Sequence, residues 1–263
     1  MKNIKFIPLF LIALSLIVSS CAIDDDDAVV GQTIITKTVS FVESEVIIAP
    51  SASPYNAQVM ISEAFGTNML IEYTLNGVDT GKSISGGTTM GGIPLDVSQE
   101  GLVYILTMTD ITVANKPDNI NAVIDQAKKT VKILVLDAAN IPAVDPNALQ
   151  VFMTWQNGVQ NDLDLWITDD PVTVGFEISQ TISPLEEVSF ANTYADGTYN
   201  ILARDWSSSD DPIGVIIVAV HPDGTVEYFG DSIANGSGFN YFVKFDKVGS
   251  TYTMTQVPAA PVF

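Results

Sequence analysis

Histidine and cysteine are almost missing from these 263 residues: there is one of each, His221 and Cys21. A single cysteine permits no intramolecular disulfide. A Ser-His-Asp or Cys-His centre would have only His221 to use, and His221-Pro222-Asp223-Gly224 reads as a tight turn. Zinc lacks its ordinary ligand set. Basic residues are scarce too: 11 Lys and Arg stand against 31 Asp and Glu, a formal net charge of −20. Such a surface repels phosphate backbones, which argues against nucleic acid as a partner. It also disfavours electrostatic docking on anionic lipid headgroups, while favouring solubility and a weak pull on divalent cations. No amphipathic helix of useful length is visible, and no short regular repeat points to a solenoid. Residues 83–92 are glycine-rich but lack the lysine and following helix of a phosphate-binding loop, so they read as a flexible loop. Among the many acids no motif marks a glycosidase pair. The chain is therefore expected not to be an enzyme.

What is present begins at the N-terminus. Lys2 and Lys5 form a short positive region, and residues 6–18 form an apolar run of 13 residues broken only by Pro8 and Ser15. That is short for a membrane span and the right length for a signal peptide. Val18-Ser19-Ser20-Cys21 follows: a branched aliphatic, two small residues and the lone cysteine. This resembles the lipobox of bacterial lipoproteins, and the resemblance implies cleavage before Cys21 and lipidation (diacylglycerol on the thiol, an acyl chain such as palmitate on the new amine). Several acyl chains hold a protein on a bilayer far better than one. The other reading is an ordinary signal peptide that leaves Cys21 a free thiol. Removing Lys2 and Lys5 would leave nine basic against 31 acidic side chains, a net of −22.

Asp24-Asp25-Asp26-Asp27 follows after Ala22 and Ile23. Acidic tracts in this place resemble the surface-export signals of Bacteroidota-type lipoproteins, which implies a location in the outer membrane facing the extracellular side. The residue after the cysteine is Ala22, not Asp, so the familiar inner-membrane retention signal is absent. The plainer reading of the four aspartates is a solvated tether.

From residue 33 onward, short β-branched runs alternate with turn-formers. Strands are expected at 34–41, 46–49, 58–62, 69–75 and 102–108. Residues 121–137 admit a short helix or a hairpin; the strength of Val131-Lys132-Ile133-Leu134-Val135-Leu136 as a strand favours a hairpin of 122–125 with 131–136. Residues 138–148, with Pro142 and Pro146, read as a stiff linker. Further strands are expected at 149–155, 163–168, 174–178, 188–190, 198–203, 214–220, 225–229, 239–245 and 251–257, with turns spaced as a sandwich requires.

Several motifs suggest roles. Asp196-Gly197-Thr198-Tyr199 resembles a tyrosine corner, a structural device. On a strand, Leu163, Leu165 and Ile167 point one way and Asp162, Asp164 and Trp166 the other. Two carboxylates on one face can share calcium if loops add oxygens; otherwise they are polar residues of an outer face. Thr154-Trp155, Asp162-Leu163-Asp164-Leu165 and Gly197-Thr198-Tyr199-Asn200-Ile201 together resemble the β-sandwich modules akin to the bacterial pre-peptidase C-terminal domain, over residues 149–203. That resemblance implies an accessory binding or spacing unit, with Asp162 and Asp164 in a calcium or structural role. Around Ile71-Glu72-Tyr73 the first half resembles Calx-beta and related immunoglobulin-like repeats, without their acidic calcium ladder. Trp166, Trp206 and Tyr228 are candidates for an aromatic platform under sugar rings, with Arg204 and Asp205 as hydrogen-bonding neighbours. Trp206 lies in a polar run, 205–211, and is expected on an exposed loop.

The expectation is thus an all-β chain: a signal peptide (1–20), a lipidated acidic tether (21–32), and two tandem immunoglobulin-like β-sandwich domains (33–140 and 149–263). Its expected role is a non-catalytic binding or assembly module of the outer-membrane surface, such as glycan capture beside a nutrient transporter. The alternative is a structural spacer or adhesin that binds another protein. Expected partners are the membrane, through the lipid on Cys21, and an outer-membrane protein complex or a glycan. No cofactor is expected beyond structural calcium at Asp162 and Asp164. The expected ligand-binding residues are Trp166, Arg204 and Trp206.

Overall fold

The computed structural model describes residues 33–236 and 238–262. The signal peptide, Cys21 and the acidic tether lie outside the described residues. Contacts group the described residues of 37–116 and 122–262 as one unit, and 33–36 with 117–121 as another. In the smaller unit the backbone amide of Ile35 donates to the carbonyl of Asn119 at 2.8 Å, and that of Ile120 to Pro117 at 3.0 Å.

The described chain is all-β, as its β-branched, turn-punctuated pattern requires. The first nine strands are β1 (Ile35–Phe41), β2 (Glu45–Ile48), β3 (Tyr55–Ile61), β4 (Met69–Leu75), β5 (Val78–Ile84), β6 (Met90–Leu95), β7 (Val103–Val113), β8 (Ile120–Ile124) and β9 (Thr130–Val135). They form two sheets, ordered β6-β3-β1-β8 and β2-β9-β7-β4-β5. Alternate residues are buried: Ala57, Val59 and Ile61 on β3, Met69, Ile71 and Tyr73 on β4. The sheets close on each other where Gly91 of β6 meets Ile84 of β5; a Cβ at Gly91 would lie 2.4 Å from the Ile84 Cδ1.

Two expectations change here. The glycine-rich stretch is half strand: β5 runs to Ile84 and β6 starts at Met90, leaving a five-residue loop, 85–89, between them. The expected hairpin of 122–125 with 131–136 is instead an arch, because β8 and β9 belong to different sheets. Alternation marks a strand and its buried face, but not the strand it pairs with.

The second nine strands are β10 (Ala148–Trp155), β11 (Asp162–Asp169), β12 (Gly175–Ser179), β13 (Leu185–Ala191), β14 (Gly197–Ser207), β15 (Ile213–Val220), β16 (Val226–Ile233), β17 (Phe239–Val248) and β18 (Thr251–Pro261). They form sheets ordered β13-β10-β15-β16 and β12-β11-β14-β17-β18. Between the sheets lies one apolar core, including Val151, Met153 and Trp155 of β10, Leu163, Leu165 and Ile167 of β11, Val215 and Ile217 of β15, and Phe245 of β17. The Tyr199 hydroxyl donates to the Ala195 carbonyl at 2.7 Å, the backbone bond expected of a tyrosine corner. The His221–Gly224 turn joins β15 to β16 as expected; Gly224 takes φ +89° and its amide donates to the His221 carbonyl at 2.9 Å.

The strands β10 and β15 are buried at all eight of their positions each. Their odd-numbered residues fill the core just described. Of their even-numbered residues, Phe152, Ile216, Val218 and Val220 pack with Val103, Leu134 and Leu136 of the first half of the chain. At the edge of this seam Gly101 takes φ +80°, and a Cβ there would stand 2.0 Å from the Trp155 carbonyl carbon. Only glycine fits, on both counts. The connection at 138–148 is tied into the seam as well. A single 3₁₀ turn at Ala138–Asn140 is capped by Asp137, the Asn140 side chain donates to both Glu100 carboxylate oxygens at 3.2 and 2.9 Å, and Ile141 packs against the apolar cluster.

Candidate functional site

Asp162 and Asp164 on β11 and Arg204 and Trp206 on β14 all project from the outer face of the five-stranded sheet. Antiparallel register sets Asp164 opposite Arg204 and Asp162 opposite Ser207, with a bulge between Asp162 and Leu163. These four side chains, with Gln180, Thr181 and Ile182 from the turn after β12, line a shallow cleft of about 320 Å³.

The cleft is held together by charge and stacking. The Arg204 guanidinium donates through Nη1 to the Asp164 Oδ2 at 3.3 Å, and Gln180 Nε2 donates to the same oxygen at 3.3 Å. Asp164 is only 5% exposed. Burial pushes its carboxyl above the usual carboxylate range, with the Arg204 charge pulling against that. The guanidinium carbon stands 4.3 Å from the Trp206 ring centroid and 5.2 Å from that of Phe239, so the cation is packed between two aromatic rings. Trp206 remains 62% exposed.

The loop wall is pinned from within. Glu186 of β13, fully buried, accepts from the Thr181 amide at 2.7 Å and the Thr181 hydroxyl at 2.8 Å, and also from the Ser179 hydroxyl. Three donated hydrogen bonds explain how a carboxylate sits in this interior position. Sequence reading missed Gln180, Thr181 and Glu186, since a polar turn residue carries no sign of the strand it will lean on.

The expected residues divide. Arg204 and Trp206 come together with Asp162 and Asp164. Trp206 lies on the last turn-side residues of a strand rather than on a loop. Asp205 does not join them, because alternation turns it to the other face, where it accepts from the Gly236 amide and the Ser208 hydroxyl, each at 2.5 Å. Trp166 shares the outer face but lines a smaller neighbouring hollow of about 110 Å³, with its ring edge-on to Phe239 at 5.0 Å. Its indole nitrogen is buried without a hydrogen-bond partner. Tyr228 belongs to the opposite sheet and packs against the apolar seam, far in the topology from Trp206. Among the described residues no three His, Cys, Asp or Glu side chains gather as a metal-binding group. Asp162 and Asp164 line one cleft, but the Asp164 carboxylate is already engaged by a guanidinium and an amide.

No family model matches the chain, and no curated protein matches it. Among solved structures, the chain is similar to CBD12 from CALX1.2 (11% identity over 72% of this chain and 83% of that one, TM-score 0.27). It is similar to the calcium-binding domain CBD12 of CALX1.1 (13% identity, 69% and 79%, TM-score 0.28). It is also similar to the human OSCAR ligand-binding domain (11% identity, 66% and 92%, TM-score 0.21). Similarity this slight says nothing of what the chain binds.

Proposed function

We propose that this chain is a lipid-anchored, non-catalytic module of the outer-membrane surface that captures glycans at the Trp206 cleft. The observation that carries the reading is the cleft itself. A largely exposed indole is braced by a stacked guanidinium beside carboxylate and amide groups. A sugar ring offers an apolar C–H face to an aromatic surface and hydroxyls to polar neighbours, and this cleft presents both. The absence of motifs for nucleophilic chemistry in the sequence agrees with binding rather than turnover.

A glycan array tests the reading: the soluble chain binds at least one glycan, and Trp206→Ala loses that binding while keeping its fold. An array with no signal would sink it. The anchor rests on Val18-Ser19-Ser20-Cys21. Labelled palmitate is expected in the wild-type chain and absent from Cys21→Ser. Surface exposure is tested by protease shaving of intact cells, where a chain protected until the outer membrane is broken rules out the extracellular side. Co-purification from solubilised outer membrane would name any transporter or other protein that accompanies it.

A second reading, a structural spacer or adhesin, draws support from the apolar seam, since two sandwiches joined by such a seam make a stiff unit. Silence on the array together with one specific protein partner in pull-downs would favour it.

A further inference from the structure

The charges in the Trp206 cleft bear on which glycans it can accept, an inference that rests on the capture reading above. Three ionisable groups line the cleft: Asp162, Asp164 and Arg204. The one cation is occupied. Its Nη1 is bonded to Asp164 and its plane is packed between Trp206 and Phe239. A ligand carboxylate or sulfate therefore meets a guanidinium whose charge Asp164 already offsets, and any bond that drew Arg204 off Asp164 would strand a carboxylate that is 5% exposed, an unpaired buried charge far more costly than a lost surface contact. Among the described residues the Asp162 carboxylate meets no hydrogen-bond donor, so on the cleft wall it is left as an acceptor of ligand hydroxyls and as a repulsive charge toward anions. The field of a chain with net charge −20 adds to that repulsion. Gln180 gives one of its two amide N–H groups to Asp164, and its carbonyl oxygen is a further acceptor. The wall is thus rich in acceptors and poor in free positive charge.

We infer that the Trp206 cleft selects uncharged, hydroxyl-rich glycans and rejects those bearing uronic acids or sulfates. The hydroxyls donate to Asp162 and Gln180 while the ring's apolar face lies on Trp206. Arg204 is a positioning residue here: it fixes the indole and neutralises Asp164.

The test is titration of the wild-type chain with matched pairs of neutral and uronate- or sulfate-bearing oligosaccharides, at low and high salt. The neutral member is expected to bind roughly tenfold or more tightly than its acidic partner, with the gap narrowing as salt rises. Asp164→Asn, nearly isosteric, frees Arg204, and is expected to shrink the gap by roughly tenfold by admitting the acidic glycan. Asp162→Asn is exposed enough to be tolerated by the fold, and is expected to weaken the neutral ligand. Equal binding of both members by the wild type, or an unchanged ratio in folded Asp164→Asn, overturns the selectivity while leaving glycan capture intact. No binding of either class overturns the capture reading and this inference with it.

Discussion

In the sheet of β13, β10, β15 and β16, the two central strands are buried at every position. In the facing sheet, β11 and β14 bury one face and turn Asp162, Arg204 and Trp206 outward. The two sheets share one core and differ in what lies on the far side. The first is covered by Val103, Leu134 and Leu136, and the outer residues that meet them are Phe, Ile and Val. On the second, the 170–175 segment lies over Trp166, Thr168 and Leu202, while Asp162, Arg204 and Trp206 stay open at the other end of the face. One sheet joins the halves of the molecule, which leaves the other free to carry a site.

The largest effect should come from breaking the covered side. Phe152→Ala removes a fully buried ring from the seam and is expected to cost about 3–5 kcal/mol in a denaturant titration. All three tryptophans (155, 166 and 206) lie in the second half, so fluorescence follows that half while far-UV circular dichroism follows both. If the seam couples them, the two wild-type transitions coincide. A fluorescence transition displaced from the dichroism transition would mean that the halves unfold separately.

Gly101→Ala meets both a positive φ and a backbone carbon at 2.0 Å, and is expected to destabilise by roughly 2 kcal/mol. A loss well below 1 kcal/mol (about the Gly-to-Ala backbone effect alone) would show that the seam yields easily there.

Acid should separate the two kinds of carboxylate. Asp196 is held below the usual range by the Gly249 amide and by Lys247, and Asp223 by the Thr225 amide. A lowered folded-state value contributes stability that is full above the unfolded value and is lost as pH falls through the folded one. Asp164, raised by burial, has the opposite sign: its contribution diminishes as pH rises from the unfolded value through its raised folded value. The melting temperature is therefore expected to fall below about pH 4. Asp164→Asn should alter the profile only above that point. A change confined to lower pH would contradict the assignment.

Smaller effects belong to the open side. Trp206→Ala should change stability by less than about 0.5 kcal/mol, since the ring is mostly exposed, while abolishing glycan binding. Calcium against chelator should move the wild-type melting temperature by no more than about 1 °C, because Arg204 already neutralises Asp164. A larger stabilisation by calcium would show that a cation can displace the guanidinium.

Much of this was legible in the residues. Met69–Leu75 is a strand over the expected residues, and the alternation of Asp162-Leu163-Asp164-Leu165 assigns the two faces of β11 correctly. The strand β5 was not legible. Val-Asp-Thr-Gly-Lys-Ser-Ile is polar and largely exposed at a sheet edge, and it is a strand because its backbone pairs with β4. Nor could the sequence show that β8 and β9 part to different sheets. The unbroken apolar run Val215–Val220 did carry a hint, since burial on both faces erases alternation. The cleft was legible in its members, not in its wiring. Asp164 and Arg204 are 40 positions apart, and their meeting depends on a register that spacing does not encode.

The two-sided burial of β10 and β15 also bears on how such a chain can be divided. Residues 138–148 look like a convenient place to cut, with prolines and small side chains. A second half released there would present Phe152, Ile216, Val218 and Val220 to water as one adhesive patch, and the first half would show Val103, Leu134 and Leu136. Neither half is a module that could be shuffled into another protein without bringing its own cover. The boundary drawn by the chain's punctuation is not the boundary at which the molecule can come apart.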